Sequence, residues 1–145
     1  MTQGSAHVVV IGAGVFGVWT AHHLLQGGHK VTLIDAFGPA NALASSGGES
    51  RLIRAAYGSD AIYTRMAMDS LPQWTALGAD CGLPIFIPAG ILFFFESEES
   101  YLHDSIAAHR ELDLPTELLD CADMAKRFPM FDFDGVAVGL FEPGF

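Results

Sequence analysis

The chain has 145 residues, half of them apolar, and a formal net charge of −10 from seven Lys plus Arg against seventeen Asp plus Glu. That length supports one modest domain with a real core, and that hydrophobicity excludes a disordered chain. The acidic balance argues against nucleic acid and anionic membrane surfaces as partners, since both need basic patches.

The chain opens with a predicted strand over residues 7–11, which runs into Gly12-Ala13-Gly14-Val15-Phe16-Gly17. A helix is predicted over 15–26, with Val18, Ala21, Leu24 and Leu25 as candidate buried positions, and Gly27-Gly28 ends it. A second strand is predicted over 30–35, ending in Asp35. Both strands are almost wholly apolar, as parallel strands covered on both faces are. Each glycine of the Gly-x-Gly-x-x-Gly has its own task. Gly12 permits the tight turn, Gly14 lets backbone N–H groups approach a pyrophosphate, and Gly17 lets the helix pack closely. The pyrophosphate would lie on the helix N-terminus, where free N–H groups and the helix dipole favour an anion. Asp35 would accept hydrogen bonds from a ribose hydroxyl. The pattern is that of a bound dinucleotide.

Residues 38–50 read as a loop rich in Gly, Ser and Ala, and 51–57 give no clear secondary structure. Arg51 and Arg54 offer planar forks for phosphate or carboxylate. They would share a face if the segment were helical and oppose one another if it were extended. A helix is predicted over 61–79, where Tyr63, Met66, Ala67, Leu71, Trp74 and Leu77 form a stripe expected to pack in the core. Pro72 is expected to kink this helix or start a second one. Short strands are predicted at 85–87 and 91–95, then a helix over 98–111 with Leu102, Ile106 and His109 inward. A strand over 116–119 follows. Asp120 is placed to cap a helix reaching Phe128, and Val136, Val138 and Leu140 alternate as a half-buried strand does. Glu142-Pro143-Gly144 reads as a turn.

No segment reaches the ~18 apolar residues of a membrane helix, and no secretory signal is read at the N-terminus. Cys81 and Cys121 belong to no C-x-x-C pair, so neither zinc nor thioredoxin-type chemistry is supported, and free thiols in a cytoplasmic protein are expected. His22 and His23 read as helix-surface or packing residues. His103 and His109 are six apart and do not share a face for a metal, so no metal site is expected.

The segment Ser45-Ser46-Gly47-Gly48-Glu49-Ser50-Arg51-Leu52-Ile53-Arg54-Ala55-Ala56-Tyr57-Gly58 carries a resemblance that the glycine motif alone does not. Together with Asp35-Ala36-Phe37, Ala89-Gly90-Ile91-Leu92, Lys126-Arg127-Phe128-Pro129 and Leu140-Phe141-Glu142-Pro143, it resembles the FAD-dependent amine and amino-acid oxidases of the sarcosine oxidase type, within the D-amino-acid oxidase superfamily. The resemblance covers nearly the whole chain, and about the first third of a family member. It implies an α/β fold, a Rossmann-like FAD-binding βαβ unit over residues 1–82 followed by the start of an α+β substrate domain over 83–145. With one βαβ unit visible, the fold is expected to be incomplete and the chain to be the N-terminal portion of a longer protein.

The resemblance also implies FAD as cofactor, with its ADP part on Gly12, Gly14, Gly17 and Asp35. Val15 and Phe16, in the same turn, would also bind the cofactor, and Ala36, Ser45, Ser46, Arg51 and Leu52 would lie near it. Arg51 would sit against the flavin and Arg54 would bind a substrate carboxylate. Family members move a hydride equivalent from a C–N bond to flavin, and O₂ commonly reoxidises it to give hydrogen peroxide. Gly47 stands where sarcosine oxidases have histidine, and Glu49-Ser50 where they often have Asp-Thr, which leaves the small amine or amino acid unspecified. Neither cysteine matches the covalent flavin-attachment position. Two alternatives share the glycine motif: an NAD-dependent dehydrogenase, and an inactive truncated fragment. Asp35 disfavours NADP, because a carboxylate there repels a 2′-phosphate.

Overall fold

The structure is a computed structural model that describes residues 4–48 and 50–145. Two compact units make it up, Met1–Arg51 and Leu52–Phe145.

The first unit is a single βαβ. Strand β1 (His7–Ile11) leads into helix α1 (Val15–Gln26) and then strand β2 (Lys30–Ile34). β1 and β2 pair in parallel, from His7 opposite Lys30 to Ile11 opposite Ile34. Helix α1 ends at Gly27, whose N–H donates to the His23 carbonyl at 2.9 Å. Gly28 then takes a left-handed φ of +79°, which glycine adopts at no steric cost. The strands are not covered on both faces as their composition suggests. The unit supplies one helix, and Ala21 is the buried residue of that helix. Val9 is 53% exposed and Ile11 84%. Of the four α1 positions expected inside, Val18 and Leu25 are also exposed.

The second unit holds helix α2 (Ala61–Cys81), strand β3 (Ile91–Phe95), helix α3 (Ser100–Glu111), strand β4 (Glu117–Leu119), helix α4 (Cys121–Arg127) and strand β5 (Val138–Glu142). The three strands form an antiparallel sheet in the order β3-β5-β4. Side chains alternate across β5, so it serves two cores. Leu140 joins Ala56, Phe95 and Leu102 on one face. Phe141 joins Leu119, Met124 and Phe133 on the other. Gly139 belongs to the second face, where a Cβ would strike the Met124 sulfur at 2.6 Å.

Several expectations fail here for physical reasons. Residues 85–87 form no strand. Their flanks Pro84 and Pro88 lack ladder donors, and the Ile85 and Ala89 N–H groups turn back to the Leu83 and Ile87 carbonyls. Pro72 stays inside an unbroken α2. Of the α2 stripe, Tyr63 and Met66 are exposed and Ala67, Leu71, Trp74 and Leu77 half-buried, while Thr64 is the buried residue of that helix. β2 ends at Ile34, one residue short of Asp35, and Val136 lies outside β5. Glu142 is the last residue of β5, so the turn begins after it. Residues 51–57 form neither helix nor strand.

Candidate functional site

In the first unit the site grows from the turn between β1 and α1. Gly12 takes φ +101°, a region closed to most side chains, and its N–H donates to the Ile34 carbonyl at 2.7 Å. This bond ties the turn to the end of β2. A Cβ at Gly17 would run into the Gly12 carbonyl, so glycine is what lets α1 lie this close to the turn. A Cβ at Gly14 would meet open space. Gly14 is the N-cap of α1 and brings no side-chain acceptor, so N–H donors at that end of the helix remain available to an anion. Val15 and Phe16, the first residues of the helix, are exposed, Phe16 at 87%.

Asp35 closes the other side of the turn. Its Oδ2 accepts the Ala13 N–H at 2.7 Å and its Oδ1 accepts the Phe37 N–H at 2.8 Å. The Ala13 bond, then the Phe37 bond, hold its carboxyl below the ordinary carboxylate value. Each carboxylate oxygen has a second lone pair, so hydroxyl donors can still be received. A cavity of about 440 Å³ lies at the C-terminal ends of β1 and β2, lined by Ile11, Gly12, Ile34, Asp35, Ala36 and Phe37. A second, of about 420 Å³, is lined by Ala13, Ala40, Asn41, Ala42, Ala44, Ser46, Gly47 and Gly48. The crevice beyond the carboxyl ends of parallel strands is where nucleotides bind in such folds.

Asn41 organises the loop around the second cavity. Its amide donates to the Gly38 carbonyl at 2.8 Å, and its side-chain oxygen accepts the Leu43 N–H at 3.0 Å. Arg51 folds back onto the same loop. Its guanidinium donates to the Ser50 carbonyl at 2.9 Å and the Ser45 carbonyl at 3.3 Å. It lies where a Cβ at Gly48 would be, so Gly48 makes room for the fork. Ser46 is half-buried and Ser45 exposed. Glu49 lies outside the described residues. Open N–H donors at a helix end, a free-edged carboxylate and adjoining space are the features the ADP part of a dinucleotide needs, and the residues of this unit fit it.

The second unit contains Leu52 and Arg54. Leu52 is 77% exposed. The Arg54 guanidinium lies 5.2 Å from the Tyr57 ring centre and 5.8 Å from that of Phe93, an arrangement that orients a planar cation without neutralising it. Four buried or half-buried side chains fix the irregular segment that carries it. Glu142 Oε2 accepts the Ala55 N–H at 2.9 Å. The Thr64 hydroxyl donates to the Ala55 carbonyl and the Tyr101 hydroxyl to the Ala56 carbonyl, each at 2.7 Å. The Gly58 N–H donates to the Ser105 hydroxyl at 2.9 Å. Sequence reasoning singled out none of the four for this task. Ser105 lies on the 102, 105, 106, 109 stripe of α3 and was open to detection there. An acid closing an apolar strand was the signal at Glu142. Among the described residues no cluster of His, Cys, Asp or Glu could hold a metal, and both cysteines are free and exposed.

These features define a dinucleotide-binding α/β protein. Residues 7–145 match the family model described as FAD dependent oxidoreductase. The chain belongs to that FAD-dependent family. It is 32% identical over 137 residues to the monomeric sarcosine oxidase of Bacillus sp. (strain B-0618), covering 94% of this chain and 35% of that protein. It is 27% identical over 136 residues to the N-methyl-L-tryptophan oxidase of Yersinia pestis (strain Pestoides F), covering 94% and 37%. Among solved structures, the L-proline dehydrogenase of P. horikoshii superposes with a TM-score of 0.76 at 25% identity, over 98% of this chain and 37% of that one. The chain thus spans little more than a third of the length of these relatives. No helix among the described residues is long and apolar enough to cross a membrane.

Proposed function

We propose that the protein is an FAD-dependent oxidoreductase that oxidises the C–N bond of a small amine or amino acid, with O₂ as acceptor and hydrogen peroxide as product. The observation that carries this reading is the turn from Gly12 to Gly17 with the Asp35 carboxylate beside it, in a chain of an FAD-dependent family. FAD, when bound, supplies the hydride-accepting centre. The chain's own residues bind and orient. The α1 N-terminus at Gly14 takes the pyrophosphate, with Val15, Phe16 and Gly17 in the first turn. Asp35 receives ribose hydroxyls, with Ala36 beside it. Ser45, Ser46, Arg51 and Leu52 lie along the cofactor, and Arg51 presents its fork to the flavin end. Arg54 pairs with the substrate carboxylate, which fixes the amine relative to the cofactor. In this reading residues 1–82 are the N-terminal part of the FAD-binding domain and 83–145 the beginning of the substrate domain, and the segment alone is inactive. The relatives named above act on sarcosine, N-methyl-L-tryptophan and L-proline, which supports a small amino acid as substrate.

The test is an absorbance spectrum of the protein at its native length, purified without added cofactor. Bands near ~450 and ~370 nm, as for a bound flavin, are expected. They should bleach anaerobically with N-methyl or secondary amino acids, and admitted O₂ should restore them with one peroxide per substrate. A colourless folded protein that binds NADH overturns the reading.

A further inference from the structure

Helix α3 and strand β5 bring two ionisable side chains together in the interior of the second unit. His109 is 1% exposed and Glu142 0%. His109 Nε2 lies 3.4 Å from Glu142 Oε1, and neither atom has any other hydrogen-bond partner among the described residues.

The remaining polar atoms decide how many protons this contact can hold. The Thr116 hydroxyl donates to the Leu114 carbonyl at 3.1 Å, so it can only accept from His109 Nδ1, 3.0 Å away. Both Thr116 contacts are hydrogen bonds in the tautomer with hydrogen on Nδ1, and that tautomer is assigned to His109. Glu142 Oε2 accepts the Ala55 N–H. Between Nε2 and Oε1 a single proton satisfies both atoms, whichever of them carries it. With none, a carboxylate oxygen faces an imidazole lone pair. With two, a buried imidazolium faces a neutral carboxyl. In the first state two acceptors face each other and in the second two donors, and either leaves a buried polar contact unsatisfied, which is unfavourable.

We infer that His109 and Glu142 share one proton, and that this pair positions the backbone that presents Arg54. Ala55, whose N–H the pair holds, is the residue after Arg54. Opposite Glu142, β3 presents Ile91. From α2 comes the Thr64 hydroxyl, bound to the Ala55 carbonyl. On α3, the Tyr101 hydroxyl is committed to the Ala56 carbonyl. Burial, the largest effect, pushes the Glu142 carboxyl up, while the Ala55 and Ala56 N–H groups and then the Arg54 charge favour the carboxylate. Burial likewise pushes the His109 imidazole down, against a smaller effect of the Ala55 backbone that favours the imidazolium. The link to Arg54 as a carboxylate site rests on the function proposed above. The shared proton does not.

The count of protons has a measurable signature. An unfolded chain releases the Glu142 proton near its ordinary value of 4.5 and the His109 proton near 6.5. A folded pair holding one proton binds the same number as the unfolded chain between those values, fewer below and more above. Its contribution to stability is therefore level between 4.5 and 6.5 and falls away on both sides. In Glu142→Gln the amide still accepts from Ala55 and can donate to Nε2, and no proton is shared.

The experiment follows the pH dependence of unfolding and the hydrogen exchange of the Ala55 amide, in the protein at its native length, for wild type, Glu142→Gln and Glu142→Ala. Above pH 4.5 the folding constant of Glu142→Gln should gain on wild type by about tenfold per pH unit, the one-proton slope. Ala55 should stay protected in Glu142→Gln and exchange fast in Glu142→Ala. KM for the amino-acid substrate should rise about tenfold in Glu142→Ala, as for one misplaced charged hydrogen bond, and stay near wild type in Glu142→Gln. Parallel pH profiles for wild type and Glu142→Gln overturn the shared proton. Unchanged Ala55 exchange in Glu142→Ala overturns the positioning role. If both hold and no amino acid is oxidised, the pair stands and the proposed activity falls.

Discussion

Asp35 Oδ2 accepts the Ala13 N–H at 2.7 Å, so the acid at the end of β2 also fastens the glycine turn at the end of β1. The same carboxylate is thus both a candidate ribose acceptor and a strut of the glycine turn. Because the Ala13 bond and then the Phe37 bond hold its carboxyl below the ordinary value of 3.8, the folded state binds fewer protons there than the unfolded chain. This contribution is present above 3.8 and disappears as pH falls through the lowered folded value. Asp35→Asn should remove that part of the acid sensitivity and weaken FAD roughly ten- to hundredfold. Acid titration monitored by circular dichroism, with flavin fluorescence for the affinity, measures both. An unchanged FAD affinity would exclude Asp35 as a ribose contact.

Gly14 and Gly17 separate cofactor binding from folding. A methyl group at Gly17 collides with the Gly12 carbonyl, whereas one at Gly14 enters open space. Gly17→Ala should destabilise the protein by about 1–3 kcal/mol, as overpacking does, and weaken FAD only as a consequence. Gly14→Ala should stay within about 0.5 kcal/mol of wild type while losing at least about tenfold in FAD affinity. Denaturant unfolding beside a flavin-binding isotherm distinguishes them, and equal loss of stability in both variants would refute the assignment.

The βαβ unit was legible because its signals are local. The apolar runs, the glycine turn, the Gly27-Gly28 stop and Asp35 all act on near neighbours, and β1 and α1 fall at the residues expected. Burial was not legible in the same way. Composition says that Val9 and Ile11 are apolar, but not which element covers them, and within their unit there is one helix to do so. Residues 85–87 have strand composition without ladder donors on their flanks, so local turns win. The Glu142 contacts are the hardest case. They join β5 to residues 54–56 and to α3, and no periodicity reports such distant pairing. Legible instead was the inward stripe of α3, which placed His109 correctly without naming its partner.

Asp120 tests a local signal by itself. Its Oδ1 accepts the Asp123 N–H at 2.8 Å at the start of α4, and Met124 of that helix is fully buried against the core that contains Phe141. Asp120→Ala should cost about 1 kcal/mol, the usual value of an N-cap. Asp120→Asn should recover most of it, because an amide oxygen also accepts. A Tm unchanged by the alanine variant would mean that packing of Met124 alone holds α4.

Arg54 tests the proposed substrate contact. Its guanidinium lies over Tyr57 and Phe93, and the side chain is exposed, so the fork is oriented by rings and free to receive an anion. Lysine keeps the charge, loses the two-pronged geometry and stacks less well. Arg54→Lys should therefore fold within about 0.5 kcal/mol of wild type and raise KM for an amino acid by roughly ten- to hundredfold. It should change KM little for the corresponding amine without a carboxylate. Steady-state kinetics on such a matched pair of substrates decides the point. A KM increase of the same size for both would mean that Arg54 shapes the site and does not read the carboxylate.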